Sequence, residues 1–125
     1  MLYLEYYKRI VEIQQQIICE EKNTILEVAK LMAETIKNDG LIHIFGCGHS
    51  HIMAEEAFYR AGGLVQVNPI LDSAIMLHEG AVKSSEVERM ENYAPYILDR
   101  YQTREGDILF VFSTSGINGC PIDMY

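Results

Sequence analysis

Two short loops hold the residues best suited to chemistry: Gly46-Cys47-Gly48-His49-Ser50 and Ser113-Thr114-Ser115-Gly116-Ile117-Asn118-Gly119. Glycines let a backbone come close to a ligand, helix starts aim free N–H groups at it, and hydroxyls add donors. Such a set holds a phosphate or similar anion with neutral donors. Each loop follows a short apolar run, Leu41–Phe45 or Ile108–Phe112, and opens a helical pattern, so each lies at the carboxyl end of a strand. If those strands are neighbours, as in the common 2-1-3 order, the loops face each other across a topological switch point, where open α/β sheets bind ligands. Glycine and serine also serve plain strand-to-helix turns. Two such loops together, one with three consecutive hydroxyls, favour a binding site.

Acid/base candidates lie beside the first loop. Glu55 and Glu56 fall in a helical stretch, where consecutive residues point about 100° apart, so one of them faces the site. Glu56, six residues past Ser50, is assigned to it, and Glu55 to solvent. His49 and His51 flank Ser50, and His49, inside the loop, is the better acid or base. His43 sits within an apolar strand and reads as a satisfied core or edge residue. His78, beside Glu79 in the 71–84 loop, could reach a neighbouring subunit's site, though nothing in the spacing requires it. Cys47-x-His49-x-His51 has metal-ligating residue types without the spacing of a structural zinc site, so no metal is assigned. Cys47 has no identifiable partner base to make it a nucleophile. The nucleotide fingerprints fail: there is no G-x-x-x-x-G-K-[ST], and G-C-G-H-S-H lacks the third glycine of the dinucleotide motif. Gln66 and Asn68 stand where an acidic ribose ligand belongs. No cofactor is implied.

The elements that must position these loops follow from periodicity. Residues 3–22 read as a helix on Tyr3, Tyr6, Tyr7, Ile10, Ile13, Ile17 and Ile18. Thr24 and Glu27 form a capping box for a second helix with Ile25, Val28, Ala29, Met32 and Ile36 on one face. Asn38-Asp39-Gly40 ends it with a glycine suited to a left-handed cap. These apolar stripes read as packing surfaces, in part against a partner chain. Then come a strand at 41–45, a helix over 52–60, and a strand at 64–67 ended by Asn68-Pro69. A loop follows over 71–84, then a helix capped by Ser85 and Glu88 that runs to Tyr101, and a strand at 108–112. Pro121 and Asp123 suit the first turn of a further helix. Short strands alternating with helices predict a parallel sheet with helices on both faces. The division expected is a helical segment over 1–40 and the first half of an α/β domain over 41–125.

With 125 residues, 49% apolar and 22% charged, the chain can bury a real core, and no apolar run is long enough to span a membrane. A formal charge of −8 with no basic stripe argues against nucleic acid and anionic membrane as partners. Three scattered cysteines and no secretory signal point to a cytoplasmic protein with reduced thiols.

G-x-G-x-S after the first strand, and R-E-G-D-I-L-F-V-F-S-T-S-G-x-N leading into a helix, resemble the sugar isomerase (SIS) domain family. Within it the likeness is to phosphoheptose isomerase-like proteins and other phosphosugar isomerases, from about Asn23 to the end. The resemblance implies a flavodoxin-like, three-layer parallel sheet that binds a phosphorylated sugar, as a homodimer or homotetramer with sites near subunit interfaces. It implies that Ser113, Thr114, Ser115 and Asn118 hold the phosphate, while Ser50 and the backbone at Gly48 approach the sugar. Two departures stand out: Arg60 occupies the place of a glutamate that several family enzymes carry ten residues past the first-loop serine, and Asn118 replaces the usual threonine. The expected activity is aldose–ketose isomerisation of a sugar phosphate, with Glu56 and His49 transferring protons. The alternatives are a non-catalytic phosphosugar sensor and an inactive incomplete domain.

Overall fold

Three apolar runs pair side by side: β1 (Ile42–Gly46), β2 (Val67–Ile70) and β3 (Ile108–Phe112) form one parallel sheet in the order β2-β1-β3. The computed structural model describes all residues, Met1–Tyr125. Every residue of β1 is buried, as the central strand of a parallel sheet requires, whereas β3 is half-buried throughout. Ile42 faces Val67 on one side and Ile108 on the other, and Gly46 lies opposite Phe112.

The core gathers on the face that carries Phe45. Phe45, Ile70, Ile75, Ala94, Ile97, Cys120 and Met124 form one buried cluster, edged by Leu109 and Val111 of β3. Three helices bound it: α4 (Ala81–Glu88), α5 (Tyr93–Leu98) and α6 (Gly119–Asp123). Each large aliphatic or aromatic side chain buried there contributes on the order of 2 kcal/mol. Helix α3 (Ile52–Ala57) packs against β1 and β2 through Ala54, which is fully buried.

The chain divides into two compact units, Met1–Glu34 and Thr35–Tyr125. The first holds α1 (Leu2–Glu20) and most of α2 (Lys22–Lys37). None of the residues of α1 is buried, and its stripe remains open, with Ile10, Ile13 and Ile17 at 36%, 40% and 47% exposure. In the second unit, the last turn of α2 is tied down by Thr35, whose hydroxyl donates to the Gly106 carbonyl at 3.2 Å. No helix is long and apolar enough to cross a membrane.

Several boundaries differ from the sequence reading. Helix α2 starts at Lys22, one residue after α1, with the Ile25 N–H bonded to the Glu21 carbonyl, so Thr24 lies inside the helix and caps nothing. Its exit uses Asp39, not Gly40, as the left-handed residue, with φ 57°. Strand β2 sits at 67–70, so Asn68 and Pro69 are in it; an edge strand tolerates a proline because one side of its ladder is free. Helix α3 stops at Ala57, with Tyr59 at φ 48°. The 71–84 segment is not a plain loop: short 3₁₀ turns at Ser73–Ile75 and Leu77–Glu79 lead into α4, which starts at Ala81 and leaves Ser85 in its interior. The single helix expected to Tyr101 is two, because Pro95 would clash with a preceding carbonyl inside a continuous helix. The chain turns at Asn92, φ 61°, and Pro95 falls harmlessly in the first turn of α5.

His43 ties the sheet together. Its side chain is fully buried; the Asn68 amide donates to Nδ1 at 3.1 Å, and the ring donates from Nε2 to Asp107 Oδ2 at 3.1 Å. Asp107 also accepts the N–H groups of Leu41 (2.7 Å) and Arg104 (2.9 Å). Burial pushes the Asp107 carboxyl up, but these two N–H groups and His43 outweigh it and hold it at about 2, against 3.8 ordinarily. A depressed carboxyl stabilises the fold above its unfolded value, and that contribution fades as pH falls through the folded one. The urea midpoint is therefore expected to drop between about pH 4 and about pH 2. Asp107→Asn should flatten that part of the profile; an unchanged profile in the variant would assign the acid sensitivity to other groups.

Candidate functional site

Because β1 and β3 are parallel neighbours, their carboxyl ends release the two glycine-rich loops side by side. Residues Gly48–His51 form a 3₁₀ turn and run directly into α3. They fold so tightly back on β1 that a Cβ on Gly46 would lie 2.5 Å from the Ser50 carbonyl carbon. The second loop turns on Ser113, whose Oγ accepts the Gly116 N–H at 3.0 Å. Gly119 then passes so close to the end of α4 that a Cβ there would meet the Met90 carbonyl at 2.7 Å. Asn118 adds a second tether to α4, with Nδ2 donating to Glu88 Oε1 at 2.8 Å.

Between the loops lies a cavity of about 300 Å³ lined by His49, Ser50, Met53, Phe112, Ser113 and Thr114. It brings together hydroxyls from both loops with an exposed imidazole. A larger hollow of about 470 Å³ runs along Phe58–Val67, but its walls are mostly apolar and Arg60 is its one ionisable group apart from a tyrosine. The smaller cavity therefore carries the candidate chemistry. Four of the eight residues singled out from the sequence line it: His49, Ser50, Ser113 and Thr114. Gly48 adjoins it at φ 54°. Ser115 is exposed on the second loop, and Asn118 lines a separate cavity of about 360 Å³ with Arg89, Asn92 and Asp123. Glu56 stands apart, ion-paired to Arg60 with its side chain 67% exposed.

Neither glutamate lines the cavity. Glu55, assigned to solvent from its spacing, is exposed, and its Oε1 also lies 3.1 Å from Nε2 of the buried His51. The cause is local. Residues 48–51 wind as 3₁₀ rather than α, with about 3.0 residues per turn, which shifts the phase of the helix that follows. His78 comes edge-on to His51, with ring centroids 5.5 Å apart. The i,i+4 spacing of His51 and Glu55 was a usable signal; nothing local marks His78. The set Cys47, His49 and His51 is not assembled, since Cys47 is buried in the core cluster and His51 is turned to Glu55. A hydrogen bond to Cys120, then burial, pushes the Cys47 thiol well above its ordinary range, which disfavours the nucleophilic thiolate.

The model of the SIS domain family matches residues 5–125. This chain belongs to the SIS domain family. Among relatives of the SIS chain, a UPF0309 protein from Geobacillus thermodenitrificans is 49% identical over 120 residues, covering 96% of this chain and 48% of the relative. A UPF0309 protein from Halalkalibacterium halodurans is 49% identical over 119 residues, covering 95% and 48%. Another, from Caldanaerobacter subterraneus, is 49% identical over 124 residues, covering 98% and 49%. The chain spans about half the length of these curated relatives.

The close approaches make the loop geometry of this SIS chain directly testable. Gly46→Ala and Gly119→Ala each force a methyl group against backbone, and each should cost about 1–3 kcal/mol in urea unfolding. Midpoints within error of the wild type would mean that the loops have room that the structure does not show.

Proposed function

We propose that this chain binds a phosphorylated sugar in the cavity between its first and third strand loops. The observation that carries the reading is the convergence of Ser50 with Ser113 and Thr114 on one cavity at the carboxyl end of adjacent parallel strands. Membership of the SIS family supports it. In this reading Ser113, Thr114 and Ser115 hold the phosphate through hydroxyl and backbone N–H donors, and Asn118 joins them by leaving Glu88. Ser50 and the backbone at Gly48 meet the sugar. The chain's acidity, with a net charge of −8, is no obstacle, because these donors are neutral and local.

The reaction that fits is aldose–ketose isomerisation. A base carries a proton between adjacent carbons while a donor protonates the carbonyl oxygen. His49, exposed on the cavity wall, is the better placed of the two proton-transfer residues; Glu56 serves only once Arg60 releases it. That ion pair favours a second reading, a phosphosugar sensor that binds without turnover. We place the protein in the cytoplasm, consistent with three unpaired cysteines, and assign it no nucleic-acid partner. The stripe of Ile10, Ile13 and Ile17 on α1 would pack against a second copy in a homodimer or homotetramer.

A thermal-shift titration against hexose and heptose phosphates, with the free sugars as controls, tests the binding. Only phosphorylated ligands should raise the melting temperature, by mass action. Thr114→Val keeps the shape but removes one hydroxyl, and should weaken binding about ten- to hundredfold, as expected for a hydrogen bond to a charged group. Equal shifts with free sugars, or an unaffected Thr114→Val, would contradict the cradle. For turnover, His49→Ala should lower kcat by about 10²–10⁴ if His49 is the base. Binding without turnover in the wild type would select the sensor. Light scattering on Ile13→Lys should report a smaller particle than the wild type, and an unchanged mass would remove α1 from the interface.

A further inference from the structure

His51 presents a bonding problem that its protein neighbours leave unsolved. Its Nδ1 contacts the Gly48 carbonyl oxygen, which only accepts, so Nδ1 carries the ring hydrogen. In the neutral ring Nε2 is then a lone pair, and it faces the Glu55 carboxylate oxygen at 3.1 Å. Two acceptors at that distance repel unless a proton or a cation stands between them. A third basic group completes the picture: the ligating atoms of His51, Glu55 and His78 all lie within 4.8 Å of one another. A proton between two groups has no need of a third ligand, whereas a metal ion does.

From this juxtaposition we propose that His51, Glu55 and His78 form a binding site for zinc or a similar borderline divalent cation. The spacing fits. Nitrogen and oxygen ligands about 2.0–2.1 Å from a tetrahedral ion stand about 3.3–3.4 Å apart, close to the 3.1 Å between His51 Nε2 and Glu55 Oε1. Two imidazoles and one carboxylate suit zinc, and three protein ligands leave a position for water.

The surroundings hold the ligands as a metal site requires. The Gly48 carbonyl fixes the tautomer and orientation of His51, the usual role of an outer partner on a ligating histidine. The turn just before the one that carries His78 is anchored, and a Ser84–Ile75 bond closes the segment between them. Asp72 accepts the Ala74 N–H at 2.9 Å and the Tyr93 hydroxyl at 3.0 Å, and the Ser84 hydroxyl donates to the Ile75 carbonyl at 2.8 Å. The neighbouring Glu79 is taken by Lys83 at 2.8 Å, which leaves the triad as the ligand set. His78 and Glu55 are exposed, so an ion can enter the site from solvent. The site does not depend on sugar phosphate, and its test reads metal alone.

The test uses the 125-residue chain stripped with chelator, then titrated with Zn²⁺ by calorimetry and with Co²⁺ by visible absorption. The expected result is one equivalent bound at micromolar affinity or tighter. The cobalt form should show d–d bands without thiolate-to-metal charge transfer. His78→Ala and Glu55→Gln, both at exposed positions and checked for folding by circular dichroism, should each weaken zinc at least tenfold. Cys19→Ser should leave it unchanged. No uptake at saturating zinc would overturn the proposal and leave a proton on His51 Nε2. Undiminished binding in both ligand variants, or a thiolate band, would overturn it by placing the ion elsewhere.

Discussion

A histidine buried in the central strand of a parallel sheet must satisfy both ring nitrogens without water, and His43 does so through one residue on each side. Asn68 belongs to β2 and is its register partner; Asp107 immediately precedes β3. The tie therefore spans all three strands. Slipping either flanking strand by one residue would turn its side chains to the opposite face and leave a buried imidazole nitrogen unpaired, at about 1–3 kcal/mol. Apolar pairs such as Ile42 with Ile108 would tolerate such a slip more easily, because one aliphatic contact resembles another. The register so fixed sets Gly46 opposite Phe112, and the two loops leave the sheet at the same level. The cavity between them is a consequence of that alignment.

The architecture was legible in the sequence where one signal dominated. The runs at 41–45 and 108–112 are short, apolar and followed by glycine-rich turns, and both became strands within one residue of the reading. The parallel sheet and the helices around it followed from strands alternating with helices; the 2-1-3 order, a condition of the site reading, is the one observed. The second strand was misplaced because Asn68-Pro69 reads locally as a stop. Only the knowledge that β2 is an edge makes proline acceptable there. The break between α4 and α5 is written in Pro95, a signal that the capping pair Ser85 and Glu88 does not carry.

The site was legible in part, for a physical reason. Loops that follow adjacent parallel strands must meet, so Ser50, Ser113 and Thr114 could be brought together from topology alone. Which carboxylate points where depends on helical phase, and with a 3₁₀ turn at Gly48–His51 ahead of the helix Glu55 meets His51 while Glu56 pairs with Arg60 away from the cavity. Asn118 bonds to Glu88, 30 residues away, and His78 meets His51 across 27 residues of chain; local patterns do not carry such pairs. The outcome is a chain whose neutral donors converge on one cavity while Glu56 and Asp107 are engaged elsewhere, by Arg60 and by the strand ends.

The central claim is that both loops belong to one ligand cradle, and amide chemical shifts test it most directly. Titrating the isotopically labelled chain with a hexose or heptose phosphate should move the backbone resonances of residues 48–50 and of residues 113–116 together, along one binding curve. The unphosphorylated sugar should leave the second group unmoved. Shifts confined to one loop, or none in either at saturating ligand, would contradict the account.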